Sequence, residues 1–137
     1  MSQVIVDNQT FSKTLDSLLQ EGKIVSFTVK GNSMLPFFKH EQTIVNLTKK
    51  SEYKRYDVIL FKYHQLIKLH RIIAIKDDDV MASGDYISQI ENIKNDDILG
   101  YVQSFKNKHE IQSSSKRYLF KVKVWLMIKK LRFWRKR

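Results

Sequence analysis

The spacing of apolar residues changes twice along the chain and divides it into three parts. Phe11, Leu15, Leu18 and Leu19 recur at helical intervals, with Asn8 or Thr10 placed to cap the start and Gly22 to end the pattern. A short amphipathic helix is therefore expected over 9–21. Beyond it the apolar residues gather in short runs rich in β-branched and aromatic side chains. Strands are expected over 23–29, 42–47, 57–63, 66–75, 80–82 and 98–105. Polar clusters separate them. The two-residue gap between Tyr63 and Leu66 predicts a tight hairpin, and Asp77, Asp78 and Asp79 predict a second, solvated turn. The fold class is mainly β, with antiparallel pairing of sequential strands as the simplest plan.

The third part begins at Ser113-Ser114-Ser115, a linker or helix start. From Tyr118 to Trp134 the chain mixes Leu, Val, Trp and Phe with Lys and Arg and contains neither Gly nor Pro, which favours a basic helix of moderate amphipathicity. The expected organisation is one compact domain over 1–112 followed by a basic C-terminal tail over 113–137.

Charge follows the same boundary. The chain has 137 residues and a formal net charge of +11. Residues 1–115 hold 15 Lys/Arg against 14 Asp/Glu, whereas residues 116–137 hold ten Lys/Arg and no acid. The basicity belongs to the tail rather than to a domain surface. Its phosphate-neutralising charge fits nucleic acid less well than anionic lipid, because Trp125 and Trp134 with Phe120 and Phe133 suit an interfacial helix; a helix packed on the protein with a solvated basic end is an equal alternative. Trp125, Lys129, Lys130, Arg132 and Trp134 are the candidate membrane-binding residues. No signal-peptide pattern opens the chain, and no run approaches the about 20 apolar residues that span a bilayer, so a cytoplasmic or peripheral-membrane location is expected.

Candidate chemistry centres on Gly31-Asn32-Ser33-Met34-Leu35-Pro36, where Pro36 is the only proline. A serine hydroxyl needs a base to take its proton and donors for the oxyanion it creates. Gly31 permits unusual backbone angles, which makes the N–H groups at Asn32, Ser33 and Met34 candidate oxyanion donors. The base candidate is His70, set in the apolar run Leu69-His70-Arg71-Ile72, where surroundings tune an imidazole near neutrality. Strand alternation puts Lys68 on the same face as a competing base. Asp85 and Glu91 are the acids that follow, either able to orient the imidazole. Zero cysteines exclude thiol catalysis and disulfides, and the histidines lack metal-ligand spacing, so neither metal nor other cofactor is expected.

Taken in order, these segments resemble the signal peptidase I family, whose fold is shared by the self-cleaving domains of LexA and phage repressors. Ser33-Met34-Leu35-Pro36 resembles the nucleophile box Ser-Met-x-Pro, and Thr43-Ile44-Val45-Asn46 the strand after it. Tyr56-Asp57-Val58-Ile59-Leu60-Phe61 resembles the Gly-Asp-Val-Val-x-Phe strand, with Tyr56 in place of the glycine. Leu69-His70-Arg71-Ile72-Ile73 is similar to the segment that carries the base. Ser83-Gly84-Asp85 and Ile98-Leu99-Gly100-Tyr101-Val102 resemble the closing box and the last strand. His70 stands where the lysine branch of the family has lysine, which is the pattern of the endoplasmic-reticulum and archaeal branch.

The resemblance implies a compact LexA/signal-peptidase-like β fold and a serine endopeptidase with a Ser33–His70 dyad. Asp85 is then the acid of the Gly-Asp box, and Glu91 falls at the family's third acidic position. The implied substrate is an extended signal or leader peptide of a precursor protein, lying beside the strand that leads to Ser33. The alternative is a catalytically silent peptide- or protein-binding module of the same fold, or a lipid- or nucleic-acid-binding basic protein.

Overall fold

The computed structural model describes residues 8–135, with side chains described for 13–132. Helix α1 spans Asn8–Gln20 and helix α2 spans Lys116–Arg135. Between them lie β1 (Val25–Thr28), β2 (Ile44–Thr48), β3 (Val58–Tyr63), β4 (Leu66–Lys76), β5 (Asp79–Ser83), β6 (Glu91–Lys94), β7 (Ile98–Lys106) and β8 (Glu110–Gln112). All pairings are antiparallel, in the order β1-β2-β7-β3-β4-β5-β6, with β8 added alongside β7. The protein is mainly β, as the residue pattern predicts.

Local chemistry explains where these elements begin and end. At the end of α1, Gly22 takes a positive φ of 78°. Its N–H donates to Leu19 O, while that of Lys23 donates to Leu18 O. These two bonds satisfy the last carbonyls of the helix in the pattern that a left-handed glycine permits. The N-cap expected at Asn8 or Thr10 and the packing of Phe11 lie outside the described side chains. Between β3 and β4, His64 and Gln65 both have positive φ, the two-residue turn whose twist matches paired strands. At α2 the Ser115 hydroxyl accepts from the Tyr118 N–H at 3.3 Å, so the serine run ends in a helix cap.

Sequential pairing holds for the hairpins but fails at the centre of the sheet. β7 inserts between β2 and β3, pairing Val45 with Phe105 on one side and Ile59 with Tyr101 on the other. The reason is burial on two faces. In β3, Val58 and Leu60 enter one apolar cluster while Ile59 and Phe61 enter another, so this strand needs neighbours on both sides and cover on both faces. The larger cluster gathers Leu15 and Leu19 of α1, Met34, Phe38, Leu47, Leu99, Phe105, and Tyr118 and Val122 of α2. The first half of the basic tail is thus part of the main core. β6 and β8 are additional to the expected strands. They are short, and in β6 one buried inward position is the polar Glu91, which hides the alternation.

Candidate active site

The nucleophile loop is held from below and from behind. Gly31 has φ 87°, and its N–H donates to His40 Nδ1 at 2.7 Å, which commits His40 to shaping the loop. Met34 and Phe38 are 1% and 0% exposed and anchor the segment in the main core, whereas Ser33 is half-buried. The Leu35–Pro36 peptide is cis. Among the described residues, the backbone bonds that close this turn start at the amides of Leu35, Phe37 and Phe38 rather than at those of Ser33 and Met34. Oxyanion stabilisation needs amides not already engaged in folding the turn.

Ser33 meets the end of β5. The Tyr86 N–H donates to Ser33 O at 2.8 Å, and the Asp85 N–H lies 3.5 Å from Met34 Sδ. Gly84 is packed so tightly here that a Cβ on it would lie 2.6 Å from Ser33 O and 3.0 Å from Ser33 Cβ. Glycine at this position is a requirement of close backbone approach. The neighbouring Ser83 pairs with Arg71 across β4 and β5, one residue from His70. Strand register therefore brings the serine loop and the histidine to the same end of the β4–β5 pair.

The His70 ring is 5% exposed, and its Nδ1 lies 2.8 Å from Glu91 Oε1, a carboxylate that is wholly buried on β6. Lys68 Nζ bonds the other oxygen of that carboxylate at 3.1 Å. Both outcomes follow from alternation along β4, which puts Lys68 and His70 on one face, with Phe61 edge-on to the imidazole. Burial pushes the His70 pKa below its ordinary value of 6.5, outweighing the upward pull of Glu91. The ring is then neutral at pH 7. With a carboxyl oxygen of Glu91 as the acceptor at Nδ1, the ring proton sits on Nδ1 and the lone pair is on Nε2. Among the described residues no direct hydrogen bond joins Ser33 Oγ to this ring. In serine–base pairs that contact often tightens only when substrate binds.

Asp85 has a different task from the one expected of a catalytic acid. Its two oxygens receive Arg71 Nε and Nη2 at 2.8 and 2.7 Å, and both side chains are fully buried. Arg71 also donates to Tyr56 O and Tyr118 Oη. Burial disfavours the guanidinium charge, but Asp85 and Tyr118 outweigh it and raise the Arg71 pKa. Arg71 points to the face opposite His70, so the acid it captures ties β4 to α2 and leaves Glu91 as the partner of the imidazole.

Two residues of α2 join the site's surroundings, which corrects the tail residues expected to face a membrane. The Trp125 Nε1–H donates to Asp85 O at 2.7 Å, and its ring stacks on Tyr86. Lys129 Nζ donates to Gly84 O at 2.7 Å and approaches Ser83 Oγ at 3.3 Å. Burial pushes the Lys129 pKa down. Both side chains point inward because the loop carrying Gly84 and Asp85 offers carbonyls that need donors. Lys130 and Arg132 are exposed, and the Trp134 side chain lies outside the described residues. Sequence reasoning named Lys129 only for its charge, and no local signal marks it as a neighbour of Gly84.

Among the described residues no group of three or more His, Asp or Glu side chains could hold a metal, and no helix is long and apolar enough to cross a membrane. No family model matches the chain, and no curated protein matches its sequence.

Proposed function

We propose that the protein is a serine endopeptidase resembling the histidine-type signal peptidases and cleaving an extended peptide segment. The observation that carries this reading is the buried Glu91–His70 pair, at 2.8 Å, on the strand beside the residues that pack Ser33. A carboxylate that fixes the tautomer and stabilises the imidazolium is what a general-base histidine requires. Ser33 Oγ attacks the scissile carbonyl carbon and passes its proton to His70 Nε2. The Ser33 and Met34 amides receive the oxyanion, and the imidazolium then gives the proton to the leaving amine. Water, deprotonated by the same nitrogen, releases the acyl group and restores Ser33.

Among the described residues β1 is the terminal strand of the sheet order, and it leads into the Ser33 loop, which supports an extended peptide lying beside that loop as the substrate. A peptide library incubated with the wild type, Ser33→Ala and His70→Ala proteins tests the reading. Cleavage is expected to fall by about 10⁴-fold or more in either variant, with thermal unfolding of Ser33→Ala unchanged. Cleavage undiminished by Ser33→Ala removes the mechanism.

A further inference from the structure

The described part of α2 has two apolar faces, only one of which is used by the fold. Tyr118, Val122, Trp125 and Lys129 follow each other at three- and four-residue steps and face the core and the loop beside Ser33. On the other side Phe120, Val124, Met127, Ile128 and Leu131 form a second stripe, at the same helical spacing. These five are 69%, 40%, 66%, 49% and 56% exposed, so the stripe is continuous and uncovered. At 100° per residue, Lys123 and Lys130 border it on one side and Lys121 and Arg132 on the other, all four exposed. Residues 116–137 carry no acid to interrupt this arrangement.

We infer that α2 is an interfacial helix that docks the protein on an anionic lipid surface. An apolar stripe flanked on both sides by long cationic side chains matches a bilayer interface, where the stripe enters the acyl boundary and the amines reach anionic headgroups. Nucleic acid would use the charges but would leave five large apolar side chains in water. The inner face of the same helix contacts Asp85 O through Trp125 and Gly84 O through Lys129. Docking therefore holds the loop beside Ser33 close to the lipid surface. The inference stands on the helix alone and does not require that Ser33 be catalytic.

The test is co-sedimentation of the full chain with vesicles of phosphatidylcholine alone or mixed with phosphatidylglycerol, with a fluorescent DNA duplex as a parallel ligand. Wild type is expected to partition onto the mixed vesicles and to be weakened by salt. The Met127→Ser/Leu131→Ser double variant should lose about tenfold or more of that partition, with unchanged thermal unfolding because neither side chain is buried. Lys123→Glu/Lys130→Glu should lose binding to the mixed vesicles selectively. The inference is overturned if wild type fails to sediment with the mixed vesicles. It is equally overturned if the double serine variant sediments like wild type, or if only the duplex is bound and the serine variant binds it equally well.

Discussion

Replacing Asp85 by Asn separates a structural acid from a catalytic one. In the native protein the Arg71 guanidinium is fully buried and donates to both Asp85 oxygens, with Tyr118 Oη and Tyr56 O completing its acceptors. The neutral amide retains the shape but removes the countercharge, leaving a cation in a space closed to water. Removing one member of a buried ion pair costs about 3–5 kcal/mol, a large share of the roughly 5–15 kcal/mol that holds a domain folded. With a urea m-value of about 1–3 kcal/mol/M, the unfolding midpoint should fall by about 1–5 M. Equilibrium urea denaturation followed by tryptophan fluorescence measures it, since Trp125 donates to the Asp85 carbonyl and senses the same region. The Arg71→Met/Asp85→Leu double variant should recover much of the loss, because an apolar pair needs no countercharge. An Asp85→Asn stability within about 0.5 kcal/mol of wild type, or a double variant no more stable than the single, would refute the assignment.

Further outcomes follow from the surroundings of His70 and Gly84. Because burial holds the His70 pKa below 6.5, peptide cleavage should stay on its plateau at neutral pH and decline only at pH values below 6.5, as a pH–rate profile would show. Stability should also decline in that range, since on acidification the unfolded chain takes up the histidine proton first, and the loss ends once pH falls through the folded-state value. Gly84→Ala should destabilise by about 1–3 kcal/mol, because its Cβ meets the Ser33 backbone oxygen rather than a side chain that can yield. In the peptide-library assay its cleavage should drop further than that loss accounts for, since displacing the nucleophile loop spoils alignment.

Much of the architecture is legible in local pattern. The glycine after α1, the two-residue hairpin at His64-Gln65 and the alternation in β4 each act through a few neighbouring residues, and each is present in the fold. The continuous apolar run Val58-Ile59-Leu60-Phe61 similarly announces a strand buried on both faces. β6 was hidden, because Glu91 is buried only through its pairing with His70 and Lys68, which no spacing along the chain reveals.

Sequence alone determined which residues carry candidate chemistry: a serine in a Gly-Asn-Ser-Met-Leu-Pro turn, a strand histidine, two acids and a basic tail. Only tertiary structure decided how the acids divide between the histidine and the arginine. His70 and Arg71 are adjacent in sequence but project to opposite faces of β4, so one meets Glu91 from β6 while the other meets Asp85 beneath α2. The tail was decided in the same way. Its composition specifies charge and apolarity, but the carbonyls of Gly84 and Asp85 determine that Lys129 and Trp125 turn inward, leaving a separate apolar face outside. Charge and periodicity are properties of the chain, whereas partnership depends on the register in which β4, β5 and β6 pair.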